Sequence, residues 1–354
     1  MKKQTDITAT LDLFRAREGD SFQLNEPAVL AEYERANANR SGIAIKVLTV
    51  IGGFLATCAF IGFLFVGGLF ESGLGMTVAG FFFIAGALIL KKVKDLLILD
   101  TFAVSFYVIG CVLLLFGAGD LRMNEFTMSL LFMGIAIFSL WFVQAYMMAF
   151  TATILFHAAS VALLETYRLD SFVHIYISIL IWLFTLMILQ EAKIIRTSTI
   201  LSRLYNPVRM ATLFALLTIL YLSGSGWFFR IVSFRWFTTF SAAAAVLLLL
   251  PRILQKLDVK NTTQQVLAFA AAILVLAPTI WAPNIATALL IILASFLVNY
   301  KTGIVAGILA LIWFVSEYYY FLHYTLLVKS LLMMATGTCF LLLYIITYKK
   351  LMPK

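Results

Sequence analysis

The chain has 354 residues, of which 63% are hydrophobic and only 12% charged, and its mean hydropathy is +1.01; a soluble domain carries about 25% charged and 45 to 50% apolar residues. That composition excludes a water-soluble fold. The formal charge of +9 sits in connectors on one side of the apolar runs rather than in one surface patch, so it reports membrane topology and speaks against a nucleic-acid partner.

Residues 1–41 form a polar segment with two short amphipathic stripes, Ile7, Leu11 and Phe14, then Leu24, Val29, Leu30 and Tyr33. The spacing predicts two short helices. Asn25, Glu26 and Pro27 are a start signal for the second, because Asn accepts free backbone N–H groups and Pro has none to lose. The segment has too few apolar residues for a core of its own, and it lacks the apolar stretch of a cleaved secretory signal. It is expected to be cytoplasmic, with the first span directing insertion.

From residue 42 to 350 the chain reads as one transmembrane helical domain, followed by a short tail at 351–354. A span needs about 20 apolar residues at 1.5 Å rise. That ruler predicts an all-α fold of about twelve transmembrane helices, near 47–70, 74–90, 96–118, 126–143, 145–164, 171–189, 208–223, 237–250, 264–280, 285–298, 303–322 and 325–347. The run 126–164 must be two spans joined at Gln144, since one helix of that length would cross the hydrocarbon nearly twice over. With the N-terminus inside, the inner connectors hold fourteen Lys and Arg residues and the outer ones only Arg122, Arg168, Arg230 and Arg235. By the positive-inside rule both termini are cytoplasmic. Two halves, 42–190 and 208–350, fit a parallel duplication of the kind some transporters use. The connector Glu191–Arg209 interleaves apolar and basic residues as a helix lying on the inner leaflet would. The outer connector Trp227–Trp236 reads as an interfacial helix with its Trp and Arg at the headgroups.

The densest polar feature is the last hairpin, where Glu317 and Lys329 flank His323 at equal distance. A turn near His323 puts both about 9 Å below the outer surface, facing each other across antiparallel helices. Charges at such depth cost roughly 2.5 to 3.5 kcal/mol each, so they pair, hydrate or line a cavity. The functional reading makes Glu317 a proton or cation site, with Lys329, His323 and Tyr320 around it. The structural reading is an ion pair that fixes the hairpin, with the tyrosines as an interfacial belt.

Four further polar positions are singled out. Asp170 and His174 stand four apart, a spacing that suits acid–base work or a metal, although Asp170 or Ser171 capping a helix start accounts for them as well. His157, in mid-span, is a proton relay or a hydrogen bond to a neighbouring helix. Asp100, one turn into the third span, belongs to an inner gate or meets Thr101 and cytoplasmic water. Cys58, Cys111 and Cys339 are isolated in apolar runs, so neither a disulfide framework nor a metal site is indicated. Gly303 and Gly307 form a GxxxG for close helix approach, and Pro278 and Pro283 bracket a break. The nucleotide and hydrolase motifs GxxxxGK[ST], HExxH, GxSxG and GxGxxG do not occur, so no enzyme activity and no cofactor are expected.

The stretch SEYYYFLHYTLLVKSLLMMATG, with IGGFLATCAFIGFLF at the first span, resembles the bacterial membrane proteins grouped as domain of unknown function 4401. Tyr319, Tyr320, Leu326, Leu327, Lys329 and Ser330 match the hairpin pattern, whereas Phe54 stands where a Trp is usual. The resemblance implies a polytopic inner-membrane protein with a smaller membrane-anchored partner bearing a GDYxxLxY motif. It implies no reaction. Three functions follow from these readings: a secondary transporter with Glu317 and Lys329 at its polar site, a non-catalytic membrane component that holds a partner, or an outer-surface enzyme using Asp170 and His174.

Overall fold

A computed structural model describes residues 27, 29, 43–93, 97–167, 169, 172–225, 234–321, 327, 330, 331, 334, 337, 338 and 341. Among them there is no strand; the helices are α1 (Ile43–Val66), α2 (Gly73–Val93), α3 (Leu97–Asp120), α4 (Glu125–Phe142), α5 (Tyr146–Thr166), α6 (Val173–Leu189), α7 (Glu191–Thr197), α8 (Thr199–Ser225), α9 (Arg235–Lys256), α10 (Thr262–Leu276), α11 (Pro283–Leu297) and α12 (Lys301–Phe321). Among the described residues eight helices are long and apolar enough to cross a membrane, or nine if the bent pair α6 and α7 is one span. The expected span near 47–70 falls on α1, the one near 285–298 holds a shorter apolar helix, and the one at 325–347 falls largely outside the described residues, as does the connector from Trp227.

Local chemistry explains the boundaries. The long run 126–164 breaks at Val143–Ala145, and the side chain of Gln144 donates to the Trp141 carbonyl that the end of α4 leaves open. Asn124 caps α4 and Asn261 caps α10, each accepting from the second backbone N–H beyond it. Pro278 lies in a 3₁₀ segment, Ala277–Trp281, and Pro283 occupies the first position of α11, where it forfeits no hydrogen bond. The connector Glu191–Arg209 departs from expectation: only Glu191–Thr197 is a separate helix, set at 78° to α6, and the remainder is the first part of α8. Pro207 sits inside α8 without ending it.

Helices pack as hairpins, α2 on α3, α4 on α5 and α11 on α12, while α8 runs along α5 and α9 lies between α6 and α11. Glycines allow a close approach. A Cβ at Gly80 would stand 2.9 Å from the Gly110 carbonyl oxygen, and one at Gly110 would stand 2.8 Å from that of Gly80, so α2 and α3 touch backbone to backbone. The main core is built from α6, α8, α9 and α11, with Phe184, Leu213, Leu216, Leu249 and Leu290 fully buried. A second core joins α2, α3, α4 and α5 around Tyr107, Leu114 and Met148.

Candidate functional site

The helices alternate in direction, so the C-termini of α8 and α12 and the N-terminus of α11 meet at one end, opposite the helix ends that carry Lys91 and Lys301 and the short helix α7. At that meeting point lies Glu317, half-buried on α12. Tyr221 of α8 stacks edge-on against Trp313, one turn earlier on α12, with ring centres 6.0 Å apart. One turn on, Gly224 faces the carboxylate: a Cβ there would lie 3.3 Å from Glu317 Oε1 and 2.9 Å from Asn284 Nδ2. The absent side chain of Gly224 is the space into which the acid and the amide reach. Asn284 Nδ2 donates to the Leu220 carbonyl at 3.2 Å, and the Ser223 hydroxyl donates to that same oxygen at 2.8 Å. Three helices thus bring an acid, an amide and a doubly used carbonyl together. Tyr320 is 80% exposed and takes no part in this cluster; His323 and Lys329 lie outside the described residues.

The remaining sequence candidates do not join it. His174 is buried at 2% exposure, with Nδ1 at 2.7 Å from the Thr238 hydroxyl, while that hydroxyl lies 3.3 Å from the His174 carbonyl. With Thr238 donating to the carbonyl, Nδ1–H donates to Thr238 and Nε2 is left as an acceptor with no partner. The imidazole therefore faces α9 and the core rather than the surface where acid–base chemistry with Asp170 was expected; Asp170 is outside the described residues. His157 Nδ1 meets the Tyr176 hydroxyl at 2.8 Å, a tie from α5 to α6. Asp100 forms an ion pair with Lys91. Lys91 is in the last turn of α2 and Asp100 in the first turn of α3, so each charge also complements its own helix dipole. Among the described residues no three His, Cys, Asp or Glu side chains come together as a metal set.

Reasoning from the sequence missed a second cluster at the basic end. Arg209 counted there only as a connector charge, yet it is 7% exposed. Its guanidinium donates to Glu191 at 3.3 Å, to the Tyr205 hydroxyl at 3.2 Å and to Asn206 Oδ1 at 3.0 Å. It also lies 4.1 Å from the Tyr300 ring centre, a cation–π contact. Burial pushes the Tyr300 phenol above its ordinary value and the Arg209 charge pulls it back only in part, which keeps the phenol protonated. The one signal available was Tyr205, four residues before Arg209 and so on the same helix face.

Apolar helices of membrane length, packed as antiparallel hairpins with their few charges at helix ends or helix junctions, define a multi-pass helical membrane protein. The chain belongs to the family described as Domain of unknown function (DUF4401), whose model matches residues 43–350. Neither a curated protein nor a solved structure matches it.

Proposed function

We propose that this protein is a secondary, ion- or proton-coupled transporter of the bacterial inner membrane, with twelve spans, both termini in the cytoplasm and Glu317 as its coupling residue. The observation behind this reading is the Glu317 carboxylate set over Gly224 beside Asn284. An acid held where three helices meet carries the burial cost of an intramembrane charge, and a bound proton or small cation relieves it. In this account Asn284 orients the carboxylate, and the positive charge of Lys329, close to it in sequence, balances its charge when the cation leaves. No covalent chemistry is assigned to the protein. The test is ion flux in proteoliposomes carrying a pH- or sodium-sensitive dye inside. A gradient-driven flux in the wild type that Glu317→Gln abolishes is the expected result. Equal flux in the two proteins, or none in either, would remove Glu317 from the mechanism.

A second reading, a non-catalytic component that holds a smaller membrane-anchored protein with a GDYxxLxY motif, draws support from a different place. A crevice of about 330 Å³ opens between α1 and α3, lined by small residues such as Gly52, Gly53, Ala56 and Ser105, the composition that lets a further helix approach closely. Co-purification of a second membrane protein that is lost on Ala56→Trp would favour that role.

A further inference from the structure

Most buried Ser and Thr hydroxyls in this fold return their proton to a carbonyl one turn back, as Thr153, Ser178, Thr185 and Thr287 do. Thr212 and Ser295 do not: both are fully buried, and neither hydroxyl has a hydrogen-bond partner. Arg209 Nε, also buried, is likewise without one. These three are all but one of the buried side-chain polar atoms without a partner among the described residues, and they belong to one neighbourhood. Thr212 is three residues beyond Arg209 on α8, on the same helix face. Ser295 Oγ and the Tyr300 ring both press on Gly303, and the Tyr300 ring is the one stacked on Arg209.

A buried donor without an acceptor costs about 1 to 3 kcal/mol, so three in one place mark a site whose acceptor is supplied from outside the chain. The rim is open to it. Glu191 and Asn206 above the guanidinium are partly and fully exposed, as is Lys301 next to Tyr300. Glu191 occupies only one edge of Arg209, at the long distance of 3.3 Å, and comes from the short helix α7 that turns away from α6. We propose that Arg209, Thr212, Ser295 and Asn206 form an oxyanion site at the basic end that takes a phosphate group, with the Glu191 carboxylate as its tethered competitor. A guanidinium fork with flanking hydroxyls matches the geometry of phosphate oxygens, and the surrounding lysines and arginines concentrate such anions. The phosphate comes either from solution or from an anionic lipid headgroup. The site is independent of Glu317, which lies at the opposite end.

The test uses the full chain in phosphatidylcholine nanodiscs, titrated with inorganic phosphate by calorimetry, and in parallel the retention of phosphatidylglycerol by native mass spectrometry. The wild type binds one of the two probes. Removing the competitor in Glu191→Gln tightens that binding about ten-fold, and Ser295→Ala and Thr212→Val each weaken it about ten-fold, the effect of one hydrogen bond to a charged group. Phosphate bound in phosphatidylcholine assigns the site to a soluble oxyanion; selective phosphatidylglycerol retention with no phosphate binding assigns it to a lipid. The Ser295 and Thr212 variants leave the ion pair intact, so they carry the test should Arg209→Lys not fold. If neither probe binds the wild type or folded Glu191→Gln, or if the hydroxyl variants bind as the wild type does, the proposal is overturned and the cluster is a clamp between α7, α8 and the α11–α12 turn.

Discussion

The α2–α3 hairpin and the junction of α8, α11 and α12 both bring helices close through glycine, and they use the space differently. In the hairpin, Gly80 and Gly110 let two backbones meet, with the apolar side chains of Leu114 and Ile84 packed over them. At Gly224 the space is taken by a carboxylate and an amide from two other helices. The polar contact of the hairpin, Lys91 with Asp100, joins the two ends of one helix pair, whereas the polar groups of the second region, Ser223, Asn284 and Glu317, come from three helices. A closed contact holds a fold together. An acid at a three-helix junction is what a ligand can use, so we propose function for the second region and scaffolding for the first.

The comparison is broken most directly at the hairpin. Gly80→Leu forces a side chain against the Gly110 carbonyl and is expected to cost about 3 kcal/mol, read as lost folded protein in thermal unfolding; a well-folded variant would show that the close approach is dispensable. Next comes Lys91→Ala, which strands Asp100. Because Asp100 is 27% exposed, the expected loss is about 2 kcal/mol, below the range for a fully buried pair, and Lys91→Met with Asp100→Leu should restore most of it. Tyr176→Phe removes the hydroxyl that meets His157 and should cost about 1 kcal/mol with no effect on ion flux; a loss of flux would make the pair part of a proton path. The smallest stability change belongs to Glu317→Gln, under about 1 kcal/mol, because relief from burying a charge offsets lost contacts. That same variant should have the largest effect on ligand response.

Helix positions were legible because a membrane demands long apolar runs, and those runs meet helices from Ile43 to Phe321. The start of α8 was not legible: Arg203, Pro207 and Arg209 look like a connector, and only the packing of Tyr205 and Arg209 against α7 and the Tyr300 turn makes this stretch part of a long helix. Glu317 was legible as an acid in an apolar run. Its neighbours were not, since Gly224 and Asn284 lie far away in the chain, and an apolar stretch does not say which way each helix is rotated. His174 illustrates the same limit: its spacing from Asp170 suggested a surface pair, but the rotation of α6 turns the ring to Thr238.

The central claim is that Glu317 binds a ligand, and a thermal-stability screen of the purified protein against ions and metabolites, run on the wild type and on Glu317→Gln, tests it most directly. A ligand at 100 times its Kd adds about 2.7 kcal/mol to the folded state. The account predicts a compound that stabilises the wild type by that order and has no effect on Glu317→Gln. A stabilising compound that acts equally on both proteins, or no response from the wild type to any ion, would contradict it.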